Sequence, residues 1–251
     1  MQAYLNDEKV KGKYLARVQA HAAADKIVKG QYWSNGKGCA VGCTIEGSDH
    51  GKYETELGIP RAIARLEDRI FEGLPNAEAM TFPSRFLEAV NVGADLSMVV
   101  PKFFVWLLGD EKDGVINFVG EYKKCEKAIR QVHALYVETV GGKIVEKQTW
   151  KDAYAAYDAA AYAAAADAAA AAAAAAYAAY AAAYADAAAA YAADAAAAAA
   201  AYAADAAAYA ADAADAAAAD AAADAYAQKT AKEKYYSKMA NKLLEILKET
   251  K

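Results

Sequence analysis

Apolar residues recur at intervals of three and four along most of this chain, a period that predicts helices. Val10, Tyr14, Val18 and Ala22 follow Asn6, a residue suited to capping, and mark a first helix. Residues 58–75, GIPRAIARLEDRIFEGLP, read as a complete helix. Pro60 suits its first turn, Ile63, Leu66, Ile70 and Phe71 form its apolar face, and Gly73 with Pro75 ends it. The charged residues of the same stretch, Arg61, Arg65, Glu67, Asp68, Arg69 and Glu72, pair at i,i+3 and i,i+4 and read as a solvated face. PSRFLEAV (83–90), ADLSMVVPKFFVWLL (94–108, bent or started at Pro101) and VINFVGEYKKCEKAIRQVHALYVETV (115–140, closed by Gly141-Gly142) predict three more helices. SNGKG (34–38) reads as a loop, and no run alternates with the period of two that a sheet requires. Residues 1–142 are therefore expected to form a compact all-α domain with its own core.

From Lys143 onward there is neither Gly nor Pro, and from Asp152 to Ala227 the chain uses three letters: 56 Ala, 10 Asp and 10 Tyr. Ala has the highest helix propensity, so residues 143–227 are expected to be long helices packed as a bundle. At 100° per residue, Tyr177, Tyr180, Tyr184, Tyr191, Tyr202 and Tyr209 share one sector, which predicts a single amphipathic helix over 177–215 with breaks on either side. Tyr rings would anchor the alanine faces and Asp would keep the outer faces in water. In 228–251, Tyr236, Met239, Leu243 and Ile246 follow a 3-4-3 spacing, with Leu247 beside them, and predict a short amphipathic C-terminal helix.

Charge is distributed by block. The three-letter tract carries −10, the last 24 residues carry seven Lys against three Glu, and the first 151 residues are left near balance at +1. No block is basic enough to predict a nucleic-acid partner. The longest apolar run without alanine, Phe103 to Leu108, is too short to span a membrane, and Asp interrupts the alanine tract, so no membrane partner is expected. The opening MQAYLNDEKVKGKYL lacks the apolar segment of a secretory signal, and the cysteines are few and odd in number: Cys39, Cys43 and Cys125. Both features lead to the expectation of a cytoplasmic protein.

Candidate chemistry concentrates in SNGKGCAVGCTIEGSDH, residues 34–50. A Gly-rich loop entering a helix presents backbone N–H groups to an anion, and Lys37 adds charge, so Gly36, Lys37, Gly38 and Cys39, assisted by Arg61 and Arg65, are candidates for binding an anionic ligand such as a nucleotide. The spacing is not that of a P-loop or a dinucleotide fingerprint. Cys39 or Cys43, with His50 as base and Glu72 as orienter, would instead make a thiol enzyme. Cys39, Cys43 and His50 also offer three zinc ligands where a structural site takes four, and no metal or cofactor is expected. A fourth reading makes both cysteines small buried side chains one helical turn apart.

GCAVGCT (38–44), DHGKYETELGIP (49–60), LEDRIFEGLP (66–75), FPSRFLEAV (82–90) and VGADLSMV (92–99) resemble a family of uncharacterised bacterial and phage proteins whose members also carry Ala-rich tails. The resemblance covers residues 38–108 and implies a cytoplasmic accessory role, such as one against host defence, with no catalytic residues to carry over. The expectation is a non-enzymatic binding protein that sequesters an anionic ligand or covers a host protein. A Cys/His enzyme is the alternative, and self-association through the Ala/Tyr helices makes a third, structural reading.

Overall fold

The computed structural model describes residues 1–118, 123–153 and 221–251, and over them the fold is all-α. The chain divides into two units. The first holds Met1–Val99 with Ser237–Lys251, and the second holds Val100–Tyr236. The first unit thus groups part of the C-terminal segment with the N-terminal residues. The expected alanine bundle and the tyrosine-striped helix over 177–215 lie outside the described residues.

In the first unit, α1 (Glu8–Ala23) starts two residues after Asn6, because Asp7 is the cap: its carboxylate accepts the Lys9 N–H at 2.8 Å. A short hairpin, β1 (Trp33–Ser34) with β2 (Lys37–Gly38), follows where a loop was expected. Asn35 and Gly36 both take positive φ (52° and 74°), as the tight two-residue turn of a hairpin demands. α2 (Ala40–Ile45), α3 (Gly51–Leu57), α4 (Arg61–Gly73), the single turn α5 (Asn76–Ala79) and α6 (Phe82–Ala89) complete the row. α4 packs against α2, α3 and α6 together. Its apolar face is the expected one, with Ile63, Leu66, Ile70 and Phe71 all buried.

The two ends of the chain close this unit. Ala3 N–H donates to the Ala94 carbonyl at 3.0 Å, and the buried Tyr4 hydroxyl donates to Leu87 O at 2.6 Å. Tyr4, Leu5 and Asn6 all lie in the left-handed region, a strained turn for residues with side chains. Asn91 Nδ2 donates to the carbonyls of Lys248 and Thr250, and the Asp95 N–H donates to Lys251 O. Arg85 reaches Asn241, and Ser237 reaches Glu78.

Among the described residues of the second unit, aromatic side chains meet one another. α7 runs over Val99–Gly109, so Pro101 sits in its first turn, where the missing N–H costs nothing. Val115–Phe118 form a 3-10 turn ahead of α8 (Lys123–Val140). Phe104 of α7 stacks on Tyr136 of α8 at 5.0 Å between centroids, Tyr136 meets Trp150, and Trp106 stacks on Tyr235. Tyr235 belongs to the last helix, α9 (Ala221–Glu249), and its hydroxyl donates to Asp113 O.

Candidate functional site

Three local structures in the first unit place the polar groups. The hairpin delivers Cys39 to the start of α2, where its sulfur accepts the Gly42 N–H at 3.4 Å. Gly38 and Gly42 are glycine for a steric reason: a Cβ on either would overlap the Tyr32 carbonyl. α4 then presents Glu67, Asp68 and Glu72, and His50 stands just ahead of α3. The charged face expected to be solvated is partly interior: Glu67 is 0% exposed and Asp68 8% exposed. The cause is that α4 is covered by neighbouring helices on more than one side.

Cys39 Sγ, an Asp68 oxygen and a Glu72 oxygen all lie within 4.8 Å of one another. The Cys39 thiol and the Tyr32 hydroxyl both hydrogen-bond to Asp68. His50 Nε2 lies 3.7 Å from Asp68 Oδ2, too far for a hydrogen bond, and the Tyr32 ring meets the His50 ring edge-on at 5.2 Å. Glu72 holds the Gly30 N–H with both oxygens, at 3.0 and 2.9 Å. Deeper in, the Tyr53 hydroxyl donates to Glu67 Oε2 at 2.8 Å. His50 Nε2, Glu67 Oε1 and Asp68 Oδ1 are buried with no hydrogen-bond partner.

Electrostatics follow burial. Loss of water pushes the Glu67 carboxyl well above the usual carboxylate range, against the opposing pull of the Tyr53 hydrogen bond, and raises Glu72 against the pull of Gly30 N–H. Burial, then the Asp68 charge, raises the Cys39 thiol, so in the absence of a cation it stays protonated. Cys43 is pushed up to about 11, again chiefly by burial, and its Sγ donates to Gly38 O at 3.2 Å.

The structure brings together some of the residues singled out from sequence and separates others. Cys39 and Glu72 meet, while His50 stands beside Asp68 at 3.7 Å and is not one of the three groups that lie within 4.8 Å of one another. Cys43 is turned away toward backbone carbonyls. Gly36 and Lys37 form the hairpin end. The N–H groups of Gly38 and Cys39 already donate to Lys26 O and Gln31 O, at 3.0 and 2.7 Å, and so do not point at an anion. Arg61 N–H and guanidinium both face Glu54, and the Arg65 charge acts on Tyr32. α2 is only six residues long, a weak dipole for anion binding.

Sequence reasoning missed Tyr32, Glu67 and Asp68 as site residues. For Glu67 the signal was present: it stands four residues from both Ile63 and Phe71 and three from Ile70, inside the apolar stripe of α4. Comparison with protein-family models, curated proteins and solved structures finds no match.

Proposed function

We propose that the protein is a non-enzymatic binding protein whose site is the buried cluster of Cys39, His50, Asp68 and Glu72, and that the group it takes is cationic. The observation that carries this reading is that Asp68 Oδ1, in the cluster, and Glu67 Oε1, on the neighbouring residue of α4, are buried carboxylate oxygens with no hydrogen-bond partner. Each such atom costs about 1–3 kcal/mol when left unsatisfied, and native structures keep few of them without a use. A cation at the cluster supplies what Asp68 Oδ1 lacks. An anion in the cluster would face the carboxylates of Asp68 and Glu72. The resemblance of residues 38–108 to bacterial and phage proteins supports an accessory role, in which binding serves to sequester a ligand or to hold a surface that covers a protein partner.

Thermal unfolding of the full chain tests this with zinc, calcium, spermidine and ATP added in turn. A cation present at 100 times its dissociation constant stabilises by about 2.7 kcal/mol, which raises Tm by about 5–10 °C for a chain of this size. That rise is expected with at least one of the three cations and is lost in Asp68→Asn. A rise with ATP alone refutes the reading and favours the anion site at Gly36–Cys39 with Lys37.

A further inference from the structure

We infer that the first unit holds a zinc-class divalent metal ion, ligated by Cys39 Sγ and by one carboxylate oxygen each from Asp68 and Glu72. This rests on the cluster being the binding site and identifies what it takes. The donor set selects the ion. Calcium and magnesium take oxygen ligands, six or more of them, whereas one sulfur with two carboxylates suits a borderline ion that accepts both. Zinc binds sulfur at about 2.3 Å and carboxylate oxygen at about 2.0–2.2 Å, so three of its tetrahedral ligands stand roughly 3.3–3.7 Å from one another. The three atoms here already lie within 4.8 Å of one another, and small side-chain adjustments close the remainder. Three protein ligands leave a fourth position for water.

The surroundings are those of a held site. Gly30 N–H fixes the Glu72 carboxylate through both oxygens. His50, 8% exposed, points Nε2 at Asp68 with no hydrogen-bond partner of its own. Gly30 N–H is already such an outer partner, and His50 would become one when Asp68 shifts to ligate an ion and closes the 3.7 Å gap; loss of such partners typically weakens metal affinity by about 10–100-fold. Tyr32, bonded to Asp68 through its hydroxyl yet 46% exposed, and the half-buried Glu72 mark the side from which an ion enters. Cys43 takes no part, because its sulfur faces the carbonyls of Gly38 and Lys26.

The test is titration of the full-length reduced chain with cobalt(II), a coloured substitute for zinc. One equivalent is expected to bind, with a thiolate-to-cobalt charge-transfer band that zinc abolishes. The band should vanish in Cys39→Ser, persist in Cys43→Ser, and require about 10–100-fold more cobalt in His50→Gln. Near-ultraviolet circular dichroism checks that each variant is folded, and Glu72→Gln, at a half-buried position, serves if Cys39→Ser is not. Cobalt uptake without a thiolate band, or a band lost only in Cys43→Ser, overturns the assignment. If cobalt and zinc do not bind while spermidine still raises Tm in an Asp68-dependent way, the metal is wrong and the cluster reading stands. If nothing binds, both fall.

Discussion

Leu247 lies 104 residues beyond Lys143 in a segment that sequence alone would set apart, yet its side chain is 0% exposed and belongs to the first unit. Replacing it with Ala removes the greater part of a fully buried aliphatic side chain. Such truncations cost about 2–5 kcal/mol, more where the surroundings cannot collapse into the space. Here collapse is limited, because the flanking backbone is tied down: Asn91 holds the carbonyls of Lys248 and Thr250, and Asp95 N–H holds that of Lys251. For a chain of this length the expected fall in Tm is about 4–20 °C, against almost none for Ile144→Ala at a side chain 92% exposed. Thermal unfolding followed by near-ultraviolet circular dichroism reads both variants. A chain ending at Tyr236 carries the argument further, since it loses Met239, Leu243 and Leu247 together, all fully buried; residues 1–99 should then become open to limited proteolysis. A Leu247→Ala protein that melts with the native one, or a truncated chain with an undiminished near-ultraviolet spectrum, would refute the assignment of the C-terminal segment to this core.

Three further outcomes follow from particular contacts. Gly42→Ala drives a methyl group into the Tyr32 carbonyl and should cost about 1–3 kcal/mol in thermal unfolding, whereas Gly12→Ala, in open space inside α1, should add about 0.5–1 kcal/mol. Tyr53→Phe takes the one donor from Glu67 Oε2 in a fully buried setting and should destabilise by about 1–3 kcal/mol, read by urea unfolding. His133 is held below its ordinary value of 6.5, first by burial and then by the Arg130 charge, against a backbone hydrogen bond with Val105 that acts the other way. The folded state therefore binds that proton less readily than the unfolded chain. Its contribution is complete above pH 6.5 and is lost as pH falls below that value, a decline that should flatten in His133→Gln.

What the sequence made legible was the part set by local period. The apolar faces of α1 and α4 and the 3-4-3 stripe of the last helix lie where spacing puts them, because a helix buries whichever stripe is apolar. The hairpin escaped a search for alternation because each strand is only two residues long; Asn35-Gly36 was its one local mark. The site escaped for a different reason. Arg65, Glu67, Asp68 and Glu72 satisfy the rule for surface ion pairs, and nothing local tells that α2, α3 and α6 all pack on α4. Cys39 was singled out from its local setting, but the carboxylates beside it come from α4, more than twenty-five residues away, and only the fold brings them within 4.8 Å. The anion reading of Gly38 and Cys39 depended on free N–H groups, and long-range pairing with Lys26 and Gln31 occupies them.

The central claim is that the Cys39–Asp68–Glu72 cluster binds a cation, and native mass spectrometry of the full chain equilibrated with zinc and ATP together tests it most directly. The account predicts one zinc ion per chain, retained on gentle transfer, lost on denaturation and absent from Cys39→Ser. A chain that carries ATP and no zinc, or that holds zinc equally well in Cys39→Ser, would contradict it.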